Sequence, residues 1–335
     1  MIDWQTLATK NSKTLTNIQN RQLKFVSKHL VPYHPFYRKM WQSVGRISNT
    51  TDLARLPFSS KLDLLPTKTE PTKPRDFILQ PNKELIRQHY PKGALLKLLA
   101  KKVVGTDLET EIIKEFKPVQ IHFTTGRSTA QIPFFYSSQD LQTFSETGWR
   151  LFQTVGASHD SIVVNAFPFA PHLAFWLAYY ATNRGRLLSL QTGGGKILGT
   201  QKIIDAIERM KATMLISMPG YAYHLLREAK TQKKDFSSLE LVVLGGERVP
   251  SGLREKMKEL LYSMGAKKVK ILATYAFTEA KTAWAQCHEK SGYHLYPDLE
   301  FIELVDEDGN RVPEGKPGEV VYTSLGWRGS MVMRY

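Results

Sequence analysis

Short apolar runs alternate with amphipathic stretches from residue 119 onward, and the alternation predicts strands and helices in turn. Val119 to Phe123 and Ile132 to Tyr136 are two such runs flanking a small, hydroxyl-rich loop. "SIVVNAFPF" (161–169) reads as a strand entering a turn, and "GRLLSLQTGGGK" (185–196) as a strand ending in a glycine loop. "QKIIDAIERMKATMLISMPGYAYHLLREAKT" gives helix, strand, proline–glycine turn and helix. "LELVVLGGERVPSGLREKMKELLYSMG" repeats strand, loop and helix, and "KVKILATYAFTEAK" adds a strand with polar residues at its end. Such alternation predicts an α/β fold with a largely parallel sheet, whose ligands gather at the carboxyl ends of the strands. The loops at 124–131, 192–196, 245–247 and 275–279 are therefore expected to converge on one crevice.

The flanks differ in texture. Residues 1–45 read as amphipathic helix, with Leu15, Ile18, Leu23, Val26 and Leu30 near one face. "LARLPFSSKLDLLPTKTEPTKPRDF" is punctuated by proline, with Ser59 or Ser60 placed to cap a short helix. Residues 70–118 show little periodicity. Beyond 292, "DEDGN" and "PEGKPG" followed by "EVVYTS" carry the chemistry of antiparallel hairpins. Three parts are thus expected: an N-terminal helical and α/β segment (1–118), an α/β core (119–291) and a β-rich segment (292–335).

With 335 residues, 42% of them hydrophobic, the chain can build a large core in one to three domains. The single cysteine, Cys287, excludes an internal disulfide framework and fits a reducing, cytoplasmic setting. The N-terminus lacks the pattern of a signal peptide. The most apolar stretch, 166–181, carries two prolines and a histidine and is too short to span a bilayer. The net charge is +15. Its lysines and arginines read as scattered, with local clusters such as Lys267, Lys268 and Lys270, and no aromatic-and-basic stripe of the kind that binds single strands. A basic surface that draws anionic small molecules is expected rather than a nucleic-acid binder.

Three loops can carry chemistry. Thr124, Thr125, Ser128 and Thr129 surround Gly126, and backbone amides in such a bend can cradle phosphate oxygens. The Gly-Lys-Ser/Thr ending of a Walker loop is missing, and an ordinary turn between strands fits the same composition. Gly245 and Gly246, with Glu247, follow an apolar strand and would let a flat ring approach the backbone, or simply make a tight turn. In "TYAFTEAK", Tyr275 can stack on a base, Thr278 can bond a phosphate and Glu279 can hold Mg²⁺. The alternative is a helix start capped by Thr278, with Glu279 matched to its dipole. Cys287, His288 and His294 lack the spacing of a structural zinc site, and no nucleophile elbow occurs.

Taken in order, these pieces resemble the adenylate-forming (AMP-binding) superfamily, in the branch containing phenylacetate–CoA ligase, over nearly the whole chain. "LARLPFSSKLDLL", "HFTTGRSTAQIPFFYSSQDL", the GGE loop, "TYAFTEA" and "GYHLYPDLEFIELVDEDGNRVPEGKPGEVVYTSL" resemble successive family motifs, and "MVMRY" the run into its R-T-G-D motif. The resemblance implies the large N-terminal domain of such enzymes, with α/β subdomains and a small β-rich part, the small C-terminal domain being absent. It implies ATP-dependent conversion of an aryl or acyl carboxylic acid to an acyl-AMP, with Mg²⁺ as cofactor and CoA or a thiol carrier protein as subsequent acceptor. Thr124, Thr125, Gly126, Ser128 and Thr129 map to the phosphate loop. Gly245, Gly246 and Glu247 map to the adenine-side loop, Tyr275 to the base-stacking ring, Thr278 to the α-phosphate contact and Glu279 to the metal ligand. The acyl pocket falls near Phe167, His172, Gly194 and Ala273, where Phe169 and Trp176 also suit an apolar or aromatic acid. Three departures stand out. The loop's second glycine is Thr129, its lysine is Ala130, and the glycine after Tyr275 is Ala276. The ribose-binding aspartate falls beyond Tyr335. A noncatalytic nucleotide- or acyl-binding module of the same descent is the competing expectation.

Overall fold

The computed structural model describes residues 2–45, 47–100, 108–125 and 131–335. Along the chain run helices α1 (Trp4–Ala8), α2 (Ser12–His29), α3 (Pro35–Val44), α4 (Lys61–Leu64), α5 (Lys83–His89), α6 (Lys92–Ala100) and α7 (Leu108–Phe116). Strands β1 (Pro118–Phe123) and β2 (Pro133–Ser137) lead to α8 (Ser138–Val155), β3 (Ile162–Asn165), α9 (Leu173–Gly185) and β4 (Leu188–Gln191). Then come α10 (Thr200–Arg209), β5 (Met214–Ser217), α11 (Pro219–Thr231), β6 (Leu241–Leu244) and α12 (Ser251–Ser263). Strands β7 (Lys270–Phe277), β8 (Thr282–Ala285), β9 (Glu300–Val305) and β10 (Glu319–Ser324) close the order.

The chain forms two compact units, one of residues 1–141 with 296–335 and one of residues 142–295. The first is therefore discontinuous in sequence. The β1–β2 hairpin belongs to the first unit, tied to the chain's last residues. Ser330 donates its amide to Phe135 and its hydroxyl accepts the Phe135 amide at 2.9 Å each, while Asp140 takes the amides of Arg328 and Gly329 at 2.6 Å each.

Capping chemistry sets many helix starts in this unit. Asn11 accepts the Thr14 amide ahead of α2, and Ser60 forms a capping box with Asp63 ahead of α4. Of the two expected caps, Ser60 does the capping. Ser59 is buried and joins Tyr37 Oη and the Met333 carbonyl, each at 2.8 Å. Residues 329–335 run as a buried strap across the unit. Met331 donates to the Phe77 carbonyl, Met333 to Tyr37 Oη, and Tyr335 exchanges both backbone bonds with Tyr322 on β10. Arg334, at φ 44°, sits over the Phe58 ring at 4.1 Å and beside buried Glu303, which also accepts Arg311 at 2.8 Å.

In the second unit a six-stranded sheet has the order β4-β3-β5-β6-β7-β8. Strands β3 to β7 run parallel and β8 pairs antiparallel with β7, which bears out the parallel α/β expectation. β5 and β6 read as continuous Met-Leu-Ile-Ser and Leu-Val-Val-Leu because helices cover both faces of a parallel sheet, leaving every position buried. One face packs Ile203, Ile207, Leu225, Leu226, Met257 and Leu261 against Val164, Leu215 and Val242. The chain leaves β3 to one side for β4, then crosses back past β3 to β5 on its other side, so the strand order reverses there. A crevice opens at the carboxyl ends on either side of such a reversal.

His34 caps α3 from a fully buried position. Its Nδ1 accepts the Tyr37 amide at 3.2 Å and its Nε2 donates to the Met331 carbonyl at 3.1 Å. Burial holds its pKa down at about 3, against the smaller opposing effect of the Met331 bond. A histidine neutral in the fold and protonatable when unfolded stabilises fully above pH 6.5 and loses that contribution as pH falls toward 3. Between pH 6.5 and pH 5 the loss from this group amounts to about 2 kcal/mol. Denaturant titrations at pH 7 and pH 5 test this: wild type should weaken across the interval by more than His34→Asn, and equal losses would show that His34 does not titrate as described.

Candidate functional site

Four connections at the carboxyl edge of the second unit's sheet approach one another closely. A Cβ added to Gly194, after β4, would lie 3.0 Å from Pro168 Cα, after β3. One on Gly195 would overlap the Tyr221 hydroxyl on α11 at 2.5 Å. One on Gly245, after β6, would lie 2.4 Å from Thr274 Oγ1 on β7 and 3.4 Å from the Phe167 ring. Glycine at these places is required by space, and at Gly194 also by φ 81°. Gly246 takes φ 85°, and Glu247 Oε2 accepts the Gly220 amide at 3.4 Å, which anchors the loop on the first turn of α11. Two of the loops expected to meet, 192–196 and 245–247, thereby flank the Phe167–Pro168 segment after β3, and Gly245 abuts Thr274, the residue before loop 275–279.

Thr274 donates its hydroxyl to the Leu244 carbonyl at 3.1 Å, pinning the end of β6 to β7. Gln286 locks the other side: its Oε1 accepts the Ala273 amide at 3.0 Å and Arg254 Nη2 at 3.2 Å, while its own amide donates to Ala273. Tyr275 then emerges 46% exposed, its ring stacked beside buried Trp284 at 5.8 Å and 20°, as cross-strand partners on β7 and β8. Tyr293, 44% exposed, adds a second ring 6.0 Å away, so a broad aromatic shelf faces outward. Neither Trp284 nor Tyr293 was expected; the antiparallel pairing that gathers them has no local signature.

Thr278 and Glu279 occupy a single 3-10 turn, Thr278–Ala280, in which Phe277 holds the cap position without a side-chain bond. The alternative in which Thr278 caps a following helix is not what the chain does. Both side chains are half-buried. Lys281 closes the turn at φ 56° with its amide on the Thr278 carbonyl at 3.1 Å, and is itself buried. A left-handed backbone costs a non-glycine residue on the order of 1 kcal/mol, so the turn is held by its surroundings.

Around the expected acyl pocket, Phe167 and Ala273 are buried and Gly194 belongs to the joined loops. His172 stands at the cap position of α9 and makes no capping bond. Phe169 projects 59% exposed against Phe175 and Trp176, with ring centroids at 5.3 and 5.7 Å. Thr124 and Thr125 belong to the first unit, in the connection between β1 and β2. Thr124 exchanges bonds with Ile132, amide to carbonyl at 3.1 Å and Ile132 amide to Thr124 Oγ1 at 3.0 Å. Gly126, Ser128, Thr129 and Ala130 lie outside the described residues. Cys287 is half-buried with its amide on Ser291 Oγ, and the His294 amide donates to Ala285. Among the described residues no three His, Cys, Asp or Glu side chains are grouped to hold a metal. On the Thr278–Ala280 turn one hydroxyl, Thr278, and one carboxylate, Glu279, are consecutive in sequence. That sparse donor set suits Mg²⁺, which keeps waters and shares its shell with substrate phosphates.

A mixed α/β fold with a largely parallel sheet matches the large N-terminal domain of adenylate-forming enzymes. The chain belongs to the AMP-binding enzyme family, which residues 101–334 match. It is 23% identical over 336 residues to the phenylacetate–coenzyme A ligase of Thermus thermophilus, covering 98% of this chain and 66% of that protein. A D-alanine–D-alanyl carrier protein ligase of Bacillus velezensis is 22% identical over 219 residues, covering 62% of this chain and 42% of its own length. The crystal structure of a 2-hydroxyisobutyryl-CoA ligase with 2-HIB-AMP and CoA superimposes with TM-score 0.76 at 20% identity, over 97% of this chain and 63% of that one. The chain thus spans about two-thirds of the length of its ligase relatives. No helix among the described residues is long and apolar enough to cross a membrane.

The close approach at Gly245 gives a direct test. Gly245→Ala should destabilise the protein by about 1–3 kcal/mol through overpacking. Adding Thr274→Ala removes the obstructing hydroxyl, so the double variant should be more stable than the two single losses summed. Thermal melts of the four proteins check this, and strict additivity would contradict the geometry.

Proposed function

We propose that the protein adenylates a carboxylic acid with ATP, and that the joined loops of the second unit, with Tyr275, Thr278 and Glu279, hold the adenosine and α-phosphate. The observation that carries this reading is the cluster of Phe167, Gly194, Gly245 and Thr274 at the sheet's switch point, immediately followed in sequence by the aromatic shelf and the Thr–Glu turn.

In this reading the adenine lies on the Tyr275 ring, with Gly245 and Gly246 admitting its edge to the backbone. Thr278 Oγ1 donates to an α-phosphate oxygen. Thr124, Thr125, Gly126, Ser128 and Thr129, of the loop that resembles the family's phosphate loop, supply amides and hydroxyls of the kind that suit phosphate oxygens. Mg²⁺ held by Glu279 would neutralise charge as carboxylate and triphosphate approach. The acid's carboxylate oxygen bonds to the α-phosphorus, and the bond to the bridging oxygen breaks, releasing pyrophosphate. The acyl-AMP then passes its acyl group to a thiol, of CoA or of a carrier protein, as AMP leaves. Phe167, Ala273, Gly194 and His172 border the acid, and the exposed ring of Phe169 with the half-buried ring of Trp176 beside it favours an aryl or apolar acyl group. The relatives' names, covering CoA ligases and carrier-protein ligases, support both acceptors.

Ala130 favours a second reading, in which the chain binds nucleotide or acyl-AMP without turning it over. Where family members place a lysine against the outer phosphates, this loop has a methyl group. Exchange of labelled pyrophosphate into ATP, across aryl and aliphatic acids, separates the two readings. Catalysis predicts acid-dependent exchange that Glu279→Gln lowers by at least about a hundredfold. Binding of AMP without exchange for any acid would establish the noncatalytic reading. Ala130→Lys should raise the apparent affinity for ATP while leaving that for AMP unchanged, because only the outer phosphates gain a cation; equal effects on both nucleotides would refute that role.

A further inference from the structure

Residues 4–51 contain eight lysines and arginines and no aspartate or glutamate, in a chain whose net charge is +15. In linear order these charges look dispersed, but the fold gathers half of them. At 100° per residue, Lys13, Arg21, Lys24 and Lys28 of α2 fall within an arc of about 80°. All four are exposed, and Leu23 and Val26, at 0% exposure, take the far side of the helix into the core. The result is a straight basic stripe about 22 Å long.

Nothing among the described residues neutralises it. None of the four side chains forms an ion pair with a described carboxylate; of the two acids that flank the stretch in sequence, Asp3 accepts the Thr6 amide ahead of α1, and Asp52 is committed to the amides of Ser48 and Asn49 and to Arg55. Arg21–Lys24 and Lys24–Lys28 are like-charged neighbours at i,i+3 and i,i+4, an arrangement that weakens a helix. Lys13 also sits at the positive end of the helix dipole. The helix tolerates these repulsions because its apolar side is buried. Beside the stripe lies an open groove of about 520 Å³ lined by Lys24, Ser27, Lys28, Ile47 and Ser48.

We propose that this face of α2 is a docking surface for an acidic α-helix on a partner protein. The charges themselves are spaced as helix side chains are, at i, i+3 and i+7 from Arg21. Carboxylates at the same spacing on a second helix lying alongside meet them one for one, and the groove receives that helix's flanking side chains. A membrane is a poorer match, since the apolar side of α2 is spent on the core and cannot insert. A nucleic-acid strand is poorer too, because the stripe presents no exposed aromatic ring for stacking. The proposal is independent of the adenylation reading.

The test uses the full chain and a fluorescent, alanine-rich 20-residue peptide with glutamates at i, i+4, i+7 and i+11, beside a scrambled isomer of equal charge. The striped peptide should bind at least about fivefold more tightly than its isomer in anisotropy titrations at 50 and 150 mM salt. Lys24→Glu with Lys28→Glu should abolish that preference. The milder Lys24→Ala with Lys28→Ala should reduce it, and Lys267→Glu with Lys268→Glu should leave it intact, circular dichroism confirming that each variant folds. Equal binding of the two peptides, or an unchanged preference in the α2 variants, would overturn the proposal. So would tighter binding, through the same lysines, of phosphatidylserine vesicles or a 20-base-pair duplex.

Discussion

The close approach of β6 to β7 at Gly245 is the constraint on which the candidate site depends. With no side chain at 245, the Thr274 hydroxyl reaches the Leu244 carbonyl and the Phe167 ring comes up against the loop backbone. The same contact ties β6 to β7 one residue before Tyr275, on the strand that runs on into the Thr278–Ala280 turn. Gln286, immediately after β8, reinforces it by holding both backbone groups of Ala273. These bonds are made within the protein and need no ligand, and in the proposed reaction a preset array of donors stabilises developing charge most effectively.

The first unit is organised differently. It joins residues nearly three hundred positions apart, and the strap 329–335 supplies much of the joining. Its backbone groups pair with Phe77, Phe135, Ser59 and Tyr322. Its one charged side chain in the interior, Arg334, shares the carboxylate of Glu303 with Arg311. A carboxylate between two guanidinium groups is costly to bury and costly to break, so it specifies the arrangement more than it adds net stability. The neutral His34 ties the N-terminal helices to the same strap without introducing charge.

Much of the second unit was legible along the chain. Continuous apolar tetrads marked β5 and β6, and the glycine, aromatic and Thr–Glu residues at strand ends were visible as candidate ligands before any fold was known. What stayed hidden depends on distant pairing. The aromatic shelf needs "TAWA" to fold back as β8 on β7, and "TAWA" alone carries no turn signal strong enough to announce it. The discontinuous first unit was equally unreadable, since local periodicity does not say that Ser59 meets Met333. The α2 stripe is an intermediate case: the helix was foreseen, but its charges were judged in linear order rather than around its axis. Lys281 shows the limit, because nothing in "EAKT" foretells a buried lysine with a left-handed backbone.

An adenine nucleotide is proposed to settle on the carboxyl edge of the second unit's sheet. Hydrogen–deuterium exchange of the full chain with and without saturating AMP tests it most directly. Slowed exchange in peptides covering 244–248 and 273–280, with α2 unchanged, is the predicted result. Unaltered exchange in both peptides on a protein shown to bind AMP would contradict the account.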